Sequence, residues 1–160
     1  MTVTLMTLSS NDWRIWRSLR LAALTEAPEA FGSRLADWID ADENRWRERL
    51  SIPGAIDLVA LDSGAGSPIG MVTGTPSARR GAGAELISMW VDPAARGKGV
   101  ATLLVEAVVA WAAAAGAPSL KLSVMAENEP ARRTYERSGF AVAVAVADGP
   151  GNELEMMRTI

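Results

Sequence analysis

The sequence predicts an α/β (α+β) fold, a mixed and mostly antiparallel sheet flanked by helices. Three observations carry this. Residues 55–91 hold three strand-like runs separated by turn residues, which favours an antiparallel meander. The third run leads into a glycine-rich loop, a long Ala/Val/Leu helix pattern and a further alternating run. A strand, crossover helix and strand of this kind form a right-handed parallel unit. Two stretches of Trp and Leu at helical spacing precede the meander. At 160 residues the chain is expected to be one domain over 1–160, large enough for a sizeable core.

The elements follow in order. Residues 2–8 alternate Val3 and Leu5 with Thr2 and Thr4, as an edge strand does. Ser9, Ser10, Asn11 and Asp12 supply helix N-cap residues. Trp13, Trp16, Leu19, Ala23 and Leu24 then recur at helical spacing, and the helix should end near 25–27, before Pro28. Residues 28–32 read as a loop or short turn. A second helix fits 41–50, with Asp40 or Asp42 as cap and Trp46 and Leu50 inward. Strands follow at 55–61, 68–75 and 84–91, with turns at 62–67 and 76–83, the latter carrying a solvated Arg79-Arg80 pair. A helix over 100–115 should bury Leu103, Leu104, Ala107, Val108 and Trp111, and Gly116 should stop it. A strand at 119–125 is followed by a helix over 128–138 with Pro130 in its first turn and Gly139 at its end. Strands at 140–147 and 153–160 flank a turn at 148–152.

The most informative stretch lies where the third meander strand stops at Asp92-Pro93. Arg96, Gly97, Lys98 and Gly99 form a short loop, and Val100, Ala101 and Thr102 open the helix. Glycines let a backbone approach a phosphate closely, and the first N–H groups of a helix point at it. Arg96 and Lys98 add positive charge. A dinucleotide fingerprint needs a sixth-position glycine, and Thr102 stands there. The loop alone is equally what a plain glycine turn between strand and helix would show.

Composition narrows the chemistry. There is no cysteine and no histidine, which excludes disulfides, thiol catalysis, Cys/His metal sites and a Ser-His-Asp triad. Proton transfer must use a carboxylate, Tyr, Lys, a terminal amine or water. A net charge of −3 argues against nucleic acid as the main partner and suits a cationic, amine-bearing substrate. The first eight residues lack a signal-peptide pattern, and the apolar run at 100–117 is too short and Ala-rich to span a bilayer. The expectations are a cytoplasmic protein without membrane contact and without a metal.

The spacing Arg96-x-x-Gly99-x-Ala101 resembles the R/Q-x-x-G-x-G/A signature of the GCN5-related N-acetyltransferases (the GNAT superfamily). Asn128-x-x-Ala131-x-x-x-Tyr135-x-x-x-Gly139-Phe140 is similar to a second family pattern, in the right order. The element order β-α-α-β-β-β-α-β-α-β-β is also the family's. The first 50 residues look like a broad bacterial branch through Arg20-Leu21-x-Ala23-Leu24 and the run 27–32. The resemblance implies a central sheet with a splayed parallel strand pair. It also implies acetyl-CoA as co-substrate and transfer of its acetyl group to a primary amine by direct attack on the thioester. A non-catalytic acyl-CoA-binding or sensor domain would share the cradle, as would a transferase of another acyl group. The acceptor is expected to be a small-molecule or peptide amine. Family members often form homodimers.

The resemblance also assigns roles. Residues 96–102 would hold the pyrophosphate of acetyl-CoA. Met89, Trp90 and Val91 would lie along the pantetheine, with the Val91 N–H near the thioester. Asn128 would bond the pantetheine or organise the splay, although a plain N-cap is an equal reading. Tyr135, the only tyrosine, would protonate the leaving thiolate. Glu85 matches the place of a base glutamate in some members, although an exposed strand-start residue is an equal reading. Another branch carries its glutamate where Ser123 stands here, so that route is absent. Glu26 and Glu29 are further base candidates. Glu29, Phe31 and Trp38 would lie on the acceptor side.

Overall fold

The computed structural model describes residues 1–31, 33–77, 83–145 and 152–160. Strand β1 (Val3–Thr7) leads into helix α1 (Trp13–Glu26) through a capping box. The Ser9 hydroxyl accepts from the Asn11 N–H, and the Asp12 carboxylate accepts the Ser9 N–H at 2.8 Å. A four-residue helix α2 (Leu35–Trp38), not foreseen from the sequence, precedes α3 (Glu43–Arg49). Asp42 caps α3 by accepting the Arg45 N–H at 2.9 Å. Trp46 is fully buried and Leu50 is buried just beyond the helix.

The meander then runs through β2 (Ile56–Asp62), β3 (Pro68–Pro76) and β4 (Ala84–Val91), antiparallel throughout. Helix α4 (Val100–Ala114) crosses over to β5 (Ser119–Met125), which lies parallel to β4. Helix α5 (Glu129–Arg137), β6 (Ala141–Ala145) and β7 (Glu153–Thr159) complete a seven-stranded sheet ordered β1-β2-β3-β4-β5-β7-β6. The expected Arg79-Arg80 pair, Gly32 and residues 146–151 of the last turn lie outside the described residues. Among the described residues no helix is long and apolar enough to cross a membrane.

Two cores sandwich the sheet. One face packs α4 and Tyr135 against Leu58, Val72, Leu86, Val91, Leu120 and Leu122. The other packs α1 and α3, with Trp16 and Trp46, against Val59, Met71 and Trp90. The two tryptophans are fully buried. Truncating either to Ala costs about 3–5 kcal/mol.

The buried face of α4 differs from the expected one. Val100, Leu104, Val105, Val108, Val109 and Ala112 face inward, whereas Leu103 is 45% exposed. The helix is apolar nearly all round, so periodicity does not fix its orientation. Contacts with β2, β3 and β4 do. Gly116 ends the helix at φ 76°, with the Ala117 N–H donating to the Ala112 carbonyl. This is the left-handed cap expected there.

Candidate active site

The site begins with a gap in the sheet. β4 and β5 pair only at Ala84–Leu120 and Glu85–Lys121. Beyond Glu85 the β5-facing edge of β4 has no strand partner, while β5 stays paired to β7 along its whole length. The β3–β4 register also shifts between Met71 and Thr73, opposite Ser88, which adopts φ 56°. A serine in the left-handed region is strained by about 1–2 kcal/mol. The bulge bends β4 away from β5.

A cleft of about 1080 Å³ fills the gap. Its walls include Leu86–Val91 of β4 and Leu122–Met125 of β5, with Asn128, Pro130, Ala131 and Tyr135 from the α5 region. The Trp90 and Val91 side chains are core, on opposite faces of the sheet. The backbone of this stretch is what remains for the cleft.

At one mouth lies the loop 96–99. Gly97 and Gly99 adopt φ 76° and 82°, and a Cβ on either would meet no protein atom within 4 Å. The glycines therefore serve the left-handed turn and leave open space above it. Gly99 is the N-cap of α4, and the first ladder bond runs from the Leu103 N–H to the Gly99 carbonyl. The N–H groups of Val100, Ala101 and Thr102 thus have no intrahelical acceptor. Gly97, Gly99, Val100, Ala101 and Thr102 all line the cleft. Open space over left-handed glycines, beside N–H donors without an intrahelical acceptor, fits a pyrophosphate.

The two cations expected there behave differently. Arg96 lines the cleft but is tied down: its Nε donates to the Val91 carbonyl at 3.0 Å and its Nη2 pairs with Glu26 at 2.9 Å. Glu26 also accepts the Trp90 Nε1–H at 3.1 Å. Arg96 thus pins the end of β4 to the end of α1. Lys98 is not among the lining residues, and its Nζ donates to the Ala94 carbonyl.

Tyr135 is only 7% exposed and still lines the cleft, with its ring edge-on to Phe140 at 6.1 Å. Burial pushes its phenol well above the usual tyrosine range. The hydroxyl therefore stays protonated around neutral pH. Asn128 caps α5 by accepting the Ala131 N–H at 3.4 Å and also lines the cleft.

A second cavity of about 570 Å³ adjoins the first. The two share Glu29, Ala30, Phe31, Leu86–Ser88 and Leu122–Met125, so they meet through the gap. Glu85 lines only the second cavity, and Glu29 and Phe31 line both. Ser123 is exposed at the junction. Trp38 lines neither; its ring packs against Trp46 at a tilt of 46°, centroids 4.8 Å apart.

Several lining residues escaped the sequence reading. Arg20 and Arg49 line the second cavity, and Glu127, Arg133 and Arg137 the first. The spacing Pro130, Thr134, Arg137 on one face of α5, beside Ala131 and Tyr135, could have revealed the last of these. Nothing local marks Arg49, whose partners Asp57, Thr73 and Ser88 come from three strands, and nothing local shows that Arg20 is buried beside Phe31.

Known proteins share the sequence pattern and the fold. Residues 16–140 match the model of the family described as Acetyltransferase (GNAT) family. A mycothiol acetyltransferase from Beutenbergia cavernae is 30% identical over 78% of this chain and 40% of its own length. The chain spans about two fifths or less of the curated relatives it matches. Among solved structures, a GNAT acetyltransferase from Streptococcus pneumoniae superposes with TM-score 0.81 at 19% identity, covering 99% of this chain and 100% of that one. The PaiA N-acetyltransferase of Thermoplasma acidophilum, solved with coenzyme A, superposes with TM-score 0.76 at 18% identity over 100% of both chains. The family match spans most of the chain, including the splayed strands and the glycine cradle. The chain belongs to the GNAT family of acetyltransferases.

Proposed function

We propose that this chain is an acetyl-CoA-dependent N-acetyltransferase acting on a primary amine. One observation carries the reading: the gap between β4 and β5 joins a phosphate-type cradle, a buried protonated tyrosine and a separate acceptor-sized cavity. The names of the relatives support acetyl transfer. Acetyl-CoA supplies the activated thioester. The N–H groups at the start of α4 hold its pyrophosphate, and the unpaired edge of β4 aligns and polarises the carbonyl. The amine enters from the second cavity and forms the new C–N bond as the C–S bond breaks. Tyr135 gives its proton to the departing thiolate. A carboxylate, directly or through water, receives the proton lost by the amine. Glu29 is the one carboxylate among the described residues that lines both cavities, and Glu85 lies on the acceptor side only.

The test is thiol release from acetyl-CoA with a panel of amines, beside calorimetry with coenzyme A. Amine-dependent thiol release supports transfer. Coenzyme A binding without turnover on any amine would favour a non-catalytic binding domain, and propionyl- and succinyl-CoA in the same assay define the acyl preference.

A further inference from the structure

The inner wall of the second cavity holds two guanidinium groups, Arg20 from α1 and Arg49 from α3. Arg49 is engaged. Its Nη1 pairs with Asp57 at 3.2 Å, and its Nη2 donates to Thr73 and Ser88, both at 3.0 Å. The same Asp57 oxygen also accepts from Thr73 at 2.6 Å. One buried carboxylate is thus set against two buried guanidiniums.

Arg20 is the surplus cation. It is 8% exposed and its guanidinium lies 4.7 Å from the Phe31 ring centroid. Its buried Nη1 has no hydrogen-bond partner among the described residues. Burial and, secondarily, repulsion from Arg49 lower its pKa to about 10, which still leaves it charged at neutral pH. A buried cation with an empty donor is costly unless an anion meets it. Among the described residues no carboxylate pairs with it, and the cavity, which Glu29 also lines, opens there.

The opposite side is acidic. Glu85, Glu153 and Glu155 line it, with Lys121 as the one cation between them. Polarity therefore runs from a cationic helix wall to an acidic sheet floor. Phe31 lines both cavities, so an anion at Arg20 sits beside the crossing point. A molecule with an ammonium and a carboxylate matches both ends.

We propose that the acceptor is a small amine that carries its own carboxylate, and that Arg20 binds this carboxylate. The inference rests on the transferase reading and narrows it to amino-acid-like acceptors. A planar guanidinium can grip a carboxylate with two parallel hydrogen bonds, fixing the amine relative to the gap.

The test uses the full chain, acetyl-CoA and several amino acids, each offered as the free acid, the amide and the decarboxylated amine. The free acid should be preferred in kcat/KM by roughly 10- to 100-fold, the range of one charged hydrogen-bonded pair. Arg20→Met should collapse that ratio toward one, mainly through KM, and Arg20→Lys should restore part of it. Arg20→Met should melt no lower than the parent, since it removes an unpaired buried charge. Amides used as well as acids by the parent, or an unchanged ratio in Arg20→Met, would overturn the assignment while leaving the transferase intact. A second arm titrates N-acetyl amino acids and their amides onto the protein with coenzyme A, by calorimetry. If no amine releases thiol, the transferase reading fails and this arm decides alone. Carboxylate-dependent binding lost in Arg20→Met upholds the anion site, and equal or no binding overturns it.

Discussion

The two sides of the sheet gap are built from different materials. The α4 side is made of backbone: two left-handed glycines, three free N–H groups and an unpaired strand edge. The α1–α3 side is made of side chains: Arg20, Arg49, Asp57, Thr73 and Phe31, held together by hydrogen bonds and ring contacts. Backbone can serve any member of a family that binds one fixed ligand, because most residue types supply the same N–H. Side chains can be exchanged one at a time, which suits a wall that selects among acceptors. A backbone wall should thus lose binding with little loss of stability, and a side-chain wall should lose stability when its central pair breaks.

The largest effect is expected at that pair. Arg49 and Asp57 have side chains 13% and 4% exposed. Arg49→Met leaves the Asp57 carboxylate buried and unpaired, at a cost of about 3–5 kcal/mol. For a domain of this size that is a fall in Tm of roughly 6–20 °C. A melt within a degree of the parent would show that the wall does not depend on the pair.

Next comes Gly99→Asp. A carboxylate beside the pyrophosphate should weaken coenzyme A binding about 10²-fold, on like-charge repulsion in a partly solvated site. The left-handed backbone adds about 1–2 kcal/mol of strain, so the fold survives. Calorimetry beside a melt separates the two. A folded variant with parental affinity would remove this loop from the binding site.

Tyr135→Phe keeps the ring packing and deletes the hydroxyl. Thiolate is a good leaving group, so kcat should fall at the low end of general-acid effects, roughly 10- to 100-fold. KM for acetyl-CoA should hardly change. The raised phenol pKa also fixes a sign. The folded form stays protonated while the unfolded tyrosine ionises near its ordinary value of 10.0, so this group's stabilisation holds below that pH and declines above it. No alkaline loss of kcat below pH 10 should trace to Tyr135, which a comparison of the Phe and parent pH–rate profiles checks.

The smallest effect is expected at Glu85, which lines only the second cavity. Glu85→Gln should lower kcat only a few-fold, within the weak end of base catalysis shared with water. Glu29→Gln should flatten the acidic limb of the pH–rate profile more strongly. The reverse order would make Glu85 the base.

The same contrast explains what the sequence disclosed. The cradle was legible because glycine spacing records backbone demands locally, at Gly97, Gly99 and the start of α4. The strands and caps were legible for the same reason: Asp42, Gly116 and Asn128 act on neighbours within five residues. The orientation of α4 was not, because Leu103 and Leu104 are interchangeable until β3 and β4 pack on them. The α1–α3 wall was not either. Arg49 reaches Thr73 and Ser88 across 24 and 39 residues, and no local pattern encodes that reach. Arg20 was visible in the run Arg20-Leu21-x-Ala23-Leu24, but nothing there tells a buried cation from a solvated one.

The left-handed Ser88 changes the parity of β4. Before it, even-numbered Leu86 belongs to the α4 core; after it, even-numbered Trp90 belongs to the α1–α3 core and odd-numbered Val91 to the α4 core. The strand thus reads in two frames joined at one serine. Deleting that one residue would merge the frames. Without it the series Ala84, Leu86, Met89, Val91 alternates regularly, so Val91 stays in the α4 core and Trp90 in the α1–α3 core; what goes is the bulge, together with the Ser88 hydroxyl that accepts from Arg49. A one-residue deletion at 88 should therefore spare the two cores and act on the cleft, where the bend of β4 and a contact of Arg49 are lost together.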